Sequence, residues 1–279
     1  MRIRVQFATS IILACAVSCV GQIPEDIHNP VHKAWDLLMN AAFSKSVTQR
    51  VDGIRALGLL RDDRLGRELA ESALNDPSPN VRVAAATALG QMHAMQSVPK
   101  LQHALDDRKI PVVMAAAHAL QLLNDDSSAY IVYYELLTGE RKANDGLIAQ
   151  QMETLKNPRE LAKIGFSEGI GYVPFAGMGW DAWRTIHKKD PNPARAVAAT
   201  YLANDPDPHT AKALVNATSD KNWIVRAAAI EAIAKRGDAS LLPKVEVKFT
   251  DKSEKVRYNA AAAVIRLSAI EESATAKGD

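Results

Sequence analysis

Apolar positions along this chain recur at helical rather than strand spacing. Val81, Ala85, Ala88 and Leu89 fall at i, i+4, i+7 and i+8, one face of an α-helix. Val98, Leu101 and Leu105 repeat the pattern on a second, leucine-bearing segment. Turn signals such as Asp76-Pro77-Ser78-Pro79 and Arg236-Gly237-Asp238 separate such segments. Alternation with period two over a run of β-branched residues, the mark of a strand, is not the prevailing signal.

The pattern is also self-similar. Arg226 and Arg257 stand 31 residues apart, as do Asp220 and Asp251, and a further step back reaches Arg195. In the N-terminal half Ala88-Leu89-Gly90 echoes Ala56-Leu57-Gly58 at a spacing of 32, and Ala119-Leu120 continues the series. A fixed period of this length marks a solenoid, in which a single helix pair leaves its apolar face uncovered and stacked neighbours bury it. The fold class predicted is all-α, an α-solenoid of stacked antiparallel helix pairs, with about seven or eight pairs between residues 31 and 269.

At these residues the chain resembles the HEAT-like repeat family, in the short-repeat form named after phycobilisome lyases. The matching pattern, D-x4-V-R-x-x-A-x-x-A-L-G followed by V-P-x-L, stands most fully over Asp76 to Leu101. It returns over Asp220 to Pro243 with Ile233-Ala234 in the Leu-Gly place. The resemblance implies a ladder between neighbouring repeats made by the Asp and the Arg six residues later: Asp76/Arg82, Asp220/Arg226 and Asp251/Arg257, with Asp190/Arg195 one residue shorter. Val113 takes the arginine place in the unit after Asp107, so the ladder is expected to break there. The resemblance further implies that the helix beginning at Val-Arg lines a groove. The groove positions are then Arg55, Thr87, Gln91, Met114, His118, Thr200, Glu231, Lys235, Tyr258 and Arg266. That set is mixed in charge and partly apolar, which suits a protein ligand better than a polyanion; a merely solvated face is the other reading.

Composition agrees with small-residue helix packing: 47% of the 279 residues are hydrophobic, only 5% aromatic, and 24% charged. Lys and Arg number 34 against 32 Asp and Glu, and near neutrality argues against a nucleic-acid partner. Residues 1–21 read as a signal peptide, with Arg2 and Arg4 before the apolar run Phe7 to Val17 and small residues at Ser18 and Gly21. Both cysteines, Cys15 and Cys19, fall inside it, so cysteine chemistry is absent from the remainder. Ala16-Val17-Ser18-Cys19 also resembles a lipobox, which leaves a lipid anchor at Cys19 open. The chain is expected to be exported, periplasmic, extracellular or held at the membrane as a lipoprotein.

One stretch departs from the repeat. Gly165 to Trp183 reads GFSEGIGYVPFAGMGWDAW, and its first five residues match G-x-S-x-G around Ser167. That motif needs a strand-to-helix turn, and the preceding residues read as a helix, so a hydrolase nucleophile is not expected. Asp181, His187 and His209 are the available partners. The uncharged glycines and aromatics suggest either a seal between two half-solenoids or a docking surface formed by Tyr172, Phe175, Trp180 and Trp183. Interfacial contact of residues 170–180 with a membrane is part of the second reading. The organisation expected is thus a signal at 1–21, HEAT-like repeats over 22–164, a junction loop over 165–180 and repeats over 181–279. His28 and His32 are spaced i, i+4, but two ligands do not complete a metal site. Neither a metal nor a cofactor is expected, and the function read is non-catalytic binding of a protein. The alternatives are a lyase-like or Ser167-dependent enzyme and a lipid-anchored structural module of the envelope.

Overall fold

The computed structural model describes residues 29–61, 63–138 and 192–276. The signal segment, His28, residues 165–183 with Ser167, Asp181 and the four docking aromatics, His187 and Asp190 lie outside the described residues. Among the described residues there are helices and no strands. In the N-terminal half α1 is Pro30–Ala42, α2 Val47–Ala56, α3 Arg64–Ala73, α4 Pro79–Gln91, α5 Val98–Ala104, α6 Ile110–Leu122 and α7 Asp126–Thr138. In the C-terminal half α8 is Asn192–Tyr201, α9 Pro208–Ala217, α10 Trp223–Arg236, α11 Leu242–Glu246 and α12 Glu254–Thr275.

Local chemistry sets the ends of these helices. Asn29 accepts the Val31 N–H at 2.9 Å and Asn222 that of Ile224 at 2.8 Å, satisfying donors that the first turn leaves orphaned. Proline opens α1, α4 and α9, where its missing N–H costs nothing. Gly237 ends α10 at φ 71°, a left-handed cap that glycine adopts without Cβ strain.

The helices that begin at the Val-Arg pattern form one layer. In it α8 packs on α10, α10 on α12, α2 on α4 and α4 on α6. These helices are buried on more than one side, and alanine fills them: Ala84, Ala85, Ala86 and Ala88 in α4, and Ala260 to Ala263 in α12. Small side chains let axes approach closely. A Cβ on Gly90 would stand 2.9 Å from Ala119 Cα, so α4 and α6 touch backbone to backbone there. The remaining helices form the second layer, with α3, α5, α9 and α11 packed on α4, α6, α10 and α12 in turn.

The two halves meet where sequence order predicts nothing. Helix α12, near the C-terminus, packs along α1 and against α2. The row therefore runs α8, α10, α12, α2, α4, α6, with the C-terminal half preceding the N-terminal half. One core crosses this joint: Leu38, Ile54 and Leu57 belong to the same buried cluster as Val256, Val264 and Leu267. Residues 139–191 connect the opposite ends of that row.

Candidate binding face and inter-repeat ladder

The ladder runs in a single direction along the row. Arg82 donates through Nε and Nη2 to both carboxylate oxygens of Asp107, at 2.7 and 3.0 Å, while its Nη1 donates to the Asp76 carbonyl at 2.8 Å. Arg226 repeats the arrangement on Asp251, at 2.8 and 2.6 Å, with Nη1 on the Asp220 carbonyl at 2.9 Å. Each arginine thus binds the backbone of its own unit and the carboxylate of the next one. Arg50 does the same on Asp76, at 2.8 and 3.1 Å, and Arg195 reaches Asp220 at 2.5 Å. Arg50, six residues after Ser44, escaped the sequence pattern because a glutamine stands where valine precedes Arg82, Arg226 and Arg257. On the far side of Asp107 the arginine place holds Val113, which is buried in the contact with α7, so no rung continues from α6.

Each rung aspartate also accepts an N–H two residues on, which holds the turn before the next helix: Ser78 for Asp76, Lys109 for Asp107, Asn222 for Asp220 and Ser253 for Asp251. Burial pushes the Asp76 and Asp251 carboxyls upward, but the arginine fork, the turn N–H and nearby cations outweigh it and hold both below the ordinary aspartate range. Asp220 is lowered mainly by the Asn222 N–H and then by Arg195.

The predicted groove positions share one register. Measured from the ladder position of each helix they stand one, five or nine residues later, which is i, i+4 and i+8 on one helical face. Along that face Thr200 and Lys235 are exposed, and Arg55, Gln91, Met114, His118, Glu231 and Arg266 are half-buried. Two positions differ from the expectation. Tyr258 is buried in the core at the joint, and Thr87 is buried with its hydroxyl returned to the Val83 carbonyl at 2.9 Å. Both lie where first-layer helices pack, so neither points outward. Arg266 spans the joint and donates to the Leu59 carbonyl at 3.0 Å. Glu231 and Lys235 pair at 2.7 Å on α10. Burial lowers the His118 pKa. Leu122 belongs to the same register and is 39% exposed.

Two buried carboxylates lie off this face. Glu71 accepts from Ser97 and Lys100, each at 2.6 Å, and from Arg67 at 2.9 Å; burial raises its carboxyl, and those three donors bring it below the ordinary value. Asp52, 7% exposed, sits at the joint with Lys255 at 3.4 Å. There burial prevails over Lys255 and Arg55 and raises the carboxyl. Lys255 also lies 5.2 Å over the Trp223 ring. Beside α8, an open polar cleft of about 740 Å³ is lined by Arg195, Asn216, Ser219, Asp220, Lys221 and Asn222. Among the described residues no group of three or more His, Cys, Asp or Glu side chains is placed to hold a metal ion. No described helix is long and apolar enough to cross a membrane.

The family model for HEAT repeats matches residues 66–137 and 181–271, more than half of the chain. The chain belongs to the HEAT-repeat family. Among solved structures, this HEAT-repeat protein is similar to human deoxyhypusine hydroxylase in complex with glycerol, at 15% identity over 88% of this chain and 99% of that one, with a TM-score of 0.33. It is similar to the complex of CpcE and CpcF of phycocyanin lyase from a Nostoc species, at 18% identity over 95% and 99%, TM-score 0.34. A designed armadillo repeat protein matches at 16% identity over 86% and 100%, TM-score 0.25. No curated protein sequence matches this HEAT-repeat chain.

Proposed function

We propose that this HEAT-repeat protein is a non-catalytic scaffold of the bacterial envelope that binds a protein partner along the face carrying Gln91, His118, Thr200, Glu231 and Lys235. The observation that carries the reading is the register itself. Five or nine residues after each ladder position, successive first-layer helices present an open strip holding an amide, an imidazole, a hydroxyl and an ion pair, with Leu122 as an apolar member. Polar groups of both signs beside a modest apolar contact resemble the composition of protein interfaces, whereas a polyanion site gathers cations. The expectation of an envelope location comes from the signal-like N-terminal segment. Residues 170–180, or a lipid on Cys19, would add any membrane contact.

The test is affinity purification from the native envelope with the wild type and with a variant carrying Gln91→Ala, His118→Ala, Thr200→Ala and Lys235→Ala. A specific protein that copurifies with the wild type and is lost from the variant, with the urea midpoint unchanged, is the expected result. Equal recovery by both would place the partner elsewhere or remove it.

A further inference from the structure

Besides ending at Val113, the ladder lacks a rung at the joint between the halves. Four ladder arginines are equivalent by what their Nη1 atoms do: Arg50 donates to the Ser44 carbonyl at 2.9 Å, as Arg82 does to Asp76, Arg226 to Asp220 and Arg257 to Asp251. Ser44 therefore occupies the place of Asp76, Asp107, Asp220 and Asp251. It also does their local work, since its Oγ accepts the Ser46 N–H at 3.1 Å. A serine has no carboxylate to receive the arginine of the preceding unit. Arg257, which faces that place across the joint, turns its Nη2 to Glu254 on its own helix at 3.2 Å.

Polar ties of other kinds cross the joint among the described residues. Gln49 donates to Glu254 at 2.8 Å, Arg266 to the Leu59 carbonyl at 3.0 Å, and Lys255 approaches Asp52 at 3.4 Å. None is a planar fork on a carboxylate, the geometry that fixes orientation as well as distance at the neighbouring interfaces. The joint also has no turn joining its two sides. Every other adjacent pair within a half is held by the chain passing from one unit to the next, which keeps the two surfaces at high effective concentration. Here the covalent path runs by way of residues 139–191 and the far ends of the row. The joint thus lacks two restraints that the interfaces within each half possess, the arginine fork of a rung and a connecting turn.

We propose that the solenoid opens at this joint, with residues 29–138 and 192–276 moving as two bodies about the contact of α12 with α1 and α2. The binding strip crosses the same line, because Arg266 and Arg55 lie on opposite sides of it. Opening therefore changes the spacing between its two halves. Ligands that grip both sides hold the joint shut, and those that need a wider strip hold it open.

Electron-spin distance measurements on the full chain test this. Lys45, Pro77, Arg108, Lys221 and Lys252 occupy the same exposed turn position in successive units, and the two native cysteines are replaced by serine. Spin labels at Lys45→Cys with Lys252→Cys report the joint. Labels at Pro77→Cys with Arg108→Cys, and at Lys221→Cys with Lys252→Cys, report covalently closed interfaces within each half. The joint pair is expected to give a broader distribution with a second, longer population, and the two controls a single narrow one. Introducing Ser44→Asp supplies the missing partner for Arg257 at a position where aspartate already suits four equivalent turns. It should reduce the long population about tenfold. A joint distribution as narrow as the controls would overturn the proposal, and so would a broad one that Ser44→Asp leaves unchanged.

Discussion

The rung between Arg226 and Asp251 offers the sharpest energetic test of the ladder. Both side chains are largely buried, at 13% and 9% exposure, so the pair is little screened by water. Replacing Asp251 by Asn keeps the shape and the acceptor for the Ser253 N–H, and removes the charge that receives the guanidinium fork. Hydrogen bonds to charged groups contribute about 1.5–3 kcal/mol net, and the amide retains part of one. The expected loss is about 2 kcal/mol, or a fall in melting temperature of roughly 4–8 °C for a domain of this size. Urea denaturation followed by circular dichroism measures it, with Arg226→Met and the double variant completing a cycle. Met keeps most of the packed arginine stem. A coupling energy near 1–2 kcal/mol is expected for partners in direct contact. The pH dependence supplies a second check. The folded Asp251 carboxyl is held below its unfolded value, so the folded state releases its proton sooner. The contribution is present above the unfolded value and disappears as pH falls through the folded one. The gap between wild type and Asp251→Asn should therefore persist through neutral pH and close as the pH falls below the ordinary aspartate range. A coupling under about 0.5 kcal/mol, or a gap indifferent to acid, would refute a stabilising rung.

Other consequences follow from the packing and the buried carboxylates. Gly90→Ala places a methyl 2.9 Å from Ala119 Cα, so α4 and α6 must separate; a loss of about 1–3 kcal/mol in urea is expected, and a neutral result would mean that the interface yields freely. Asp52 has the opposite pH sign to the rungs: its raised folded value makes its contribution fullest below the unfolded value and lost as pH rises through the folded one. The urea midpoint of Asp52→Asn relative to wild type should thus improve between about pH 4 and pH 7, and a shift the other way would show that Lys255 outweighs burial. Glu71→Gln weakens the ties to Ser97, Lys100 and Arg67. It should destabilise by about 2 kcal/mol at neutral pH and progressively less in acid, since the Glu71 carboxyl is lowered in the fold.

Much of this architecture is legible in the residues. The spacing of Arg195, Arg226 and Arg257 marks equivalent places on α8, α10 and α12, because each repeat meets the same neighbour geometry and therefore needs the same side chain. The direction of the ladder is not legible: Asp76 and Arg82 belong to one pattern, yet Arg82 gives its fork to Asp107 and only a carbonyl of its own unit ties it to Asp76. Burial on the strip is likewise decided by neighbours. Thr87 and Thr200 stand five residues after their ladder positions, but Thr87 is covered and Thr200 is exposed. The joint left no periodic trace at all, since Asp52 and Lys255 meet through an order of stacking that helical spacing does not encode.

That order of stacking is the claim on which the fold, the strip and the opening joint all rest. Amine cross-linking of the full chain with mass spectrometry tests it directly, because Lys45 and Lys252 hold equivalent turns of adjoining units, about 10 Å apart at ordinary helix spacing. A Lys45–Lys252 link recovered as readily as Lys221–Lys252 is expected. Recovery of Lys221–Lys252 with no link from Lys252 or Lys255 to the α1–α2 region would contradict it.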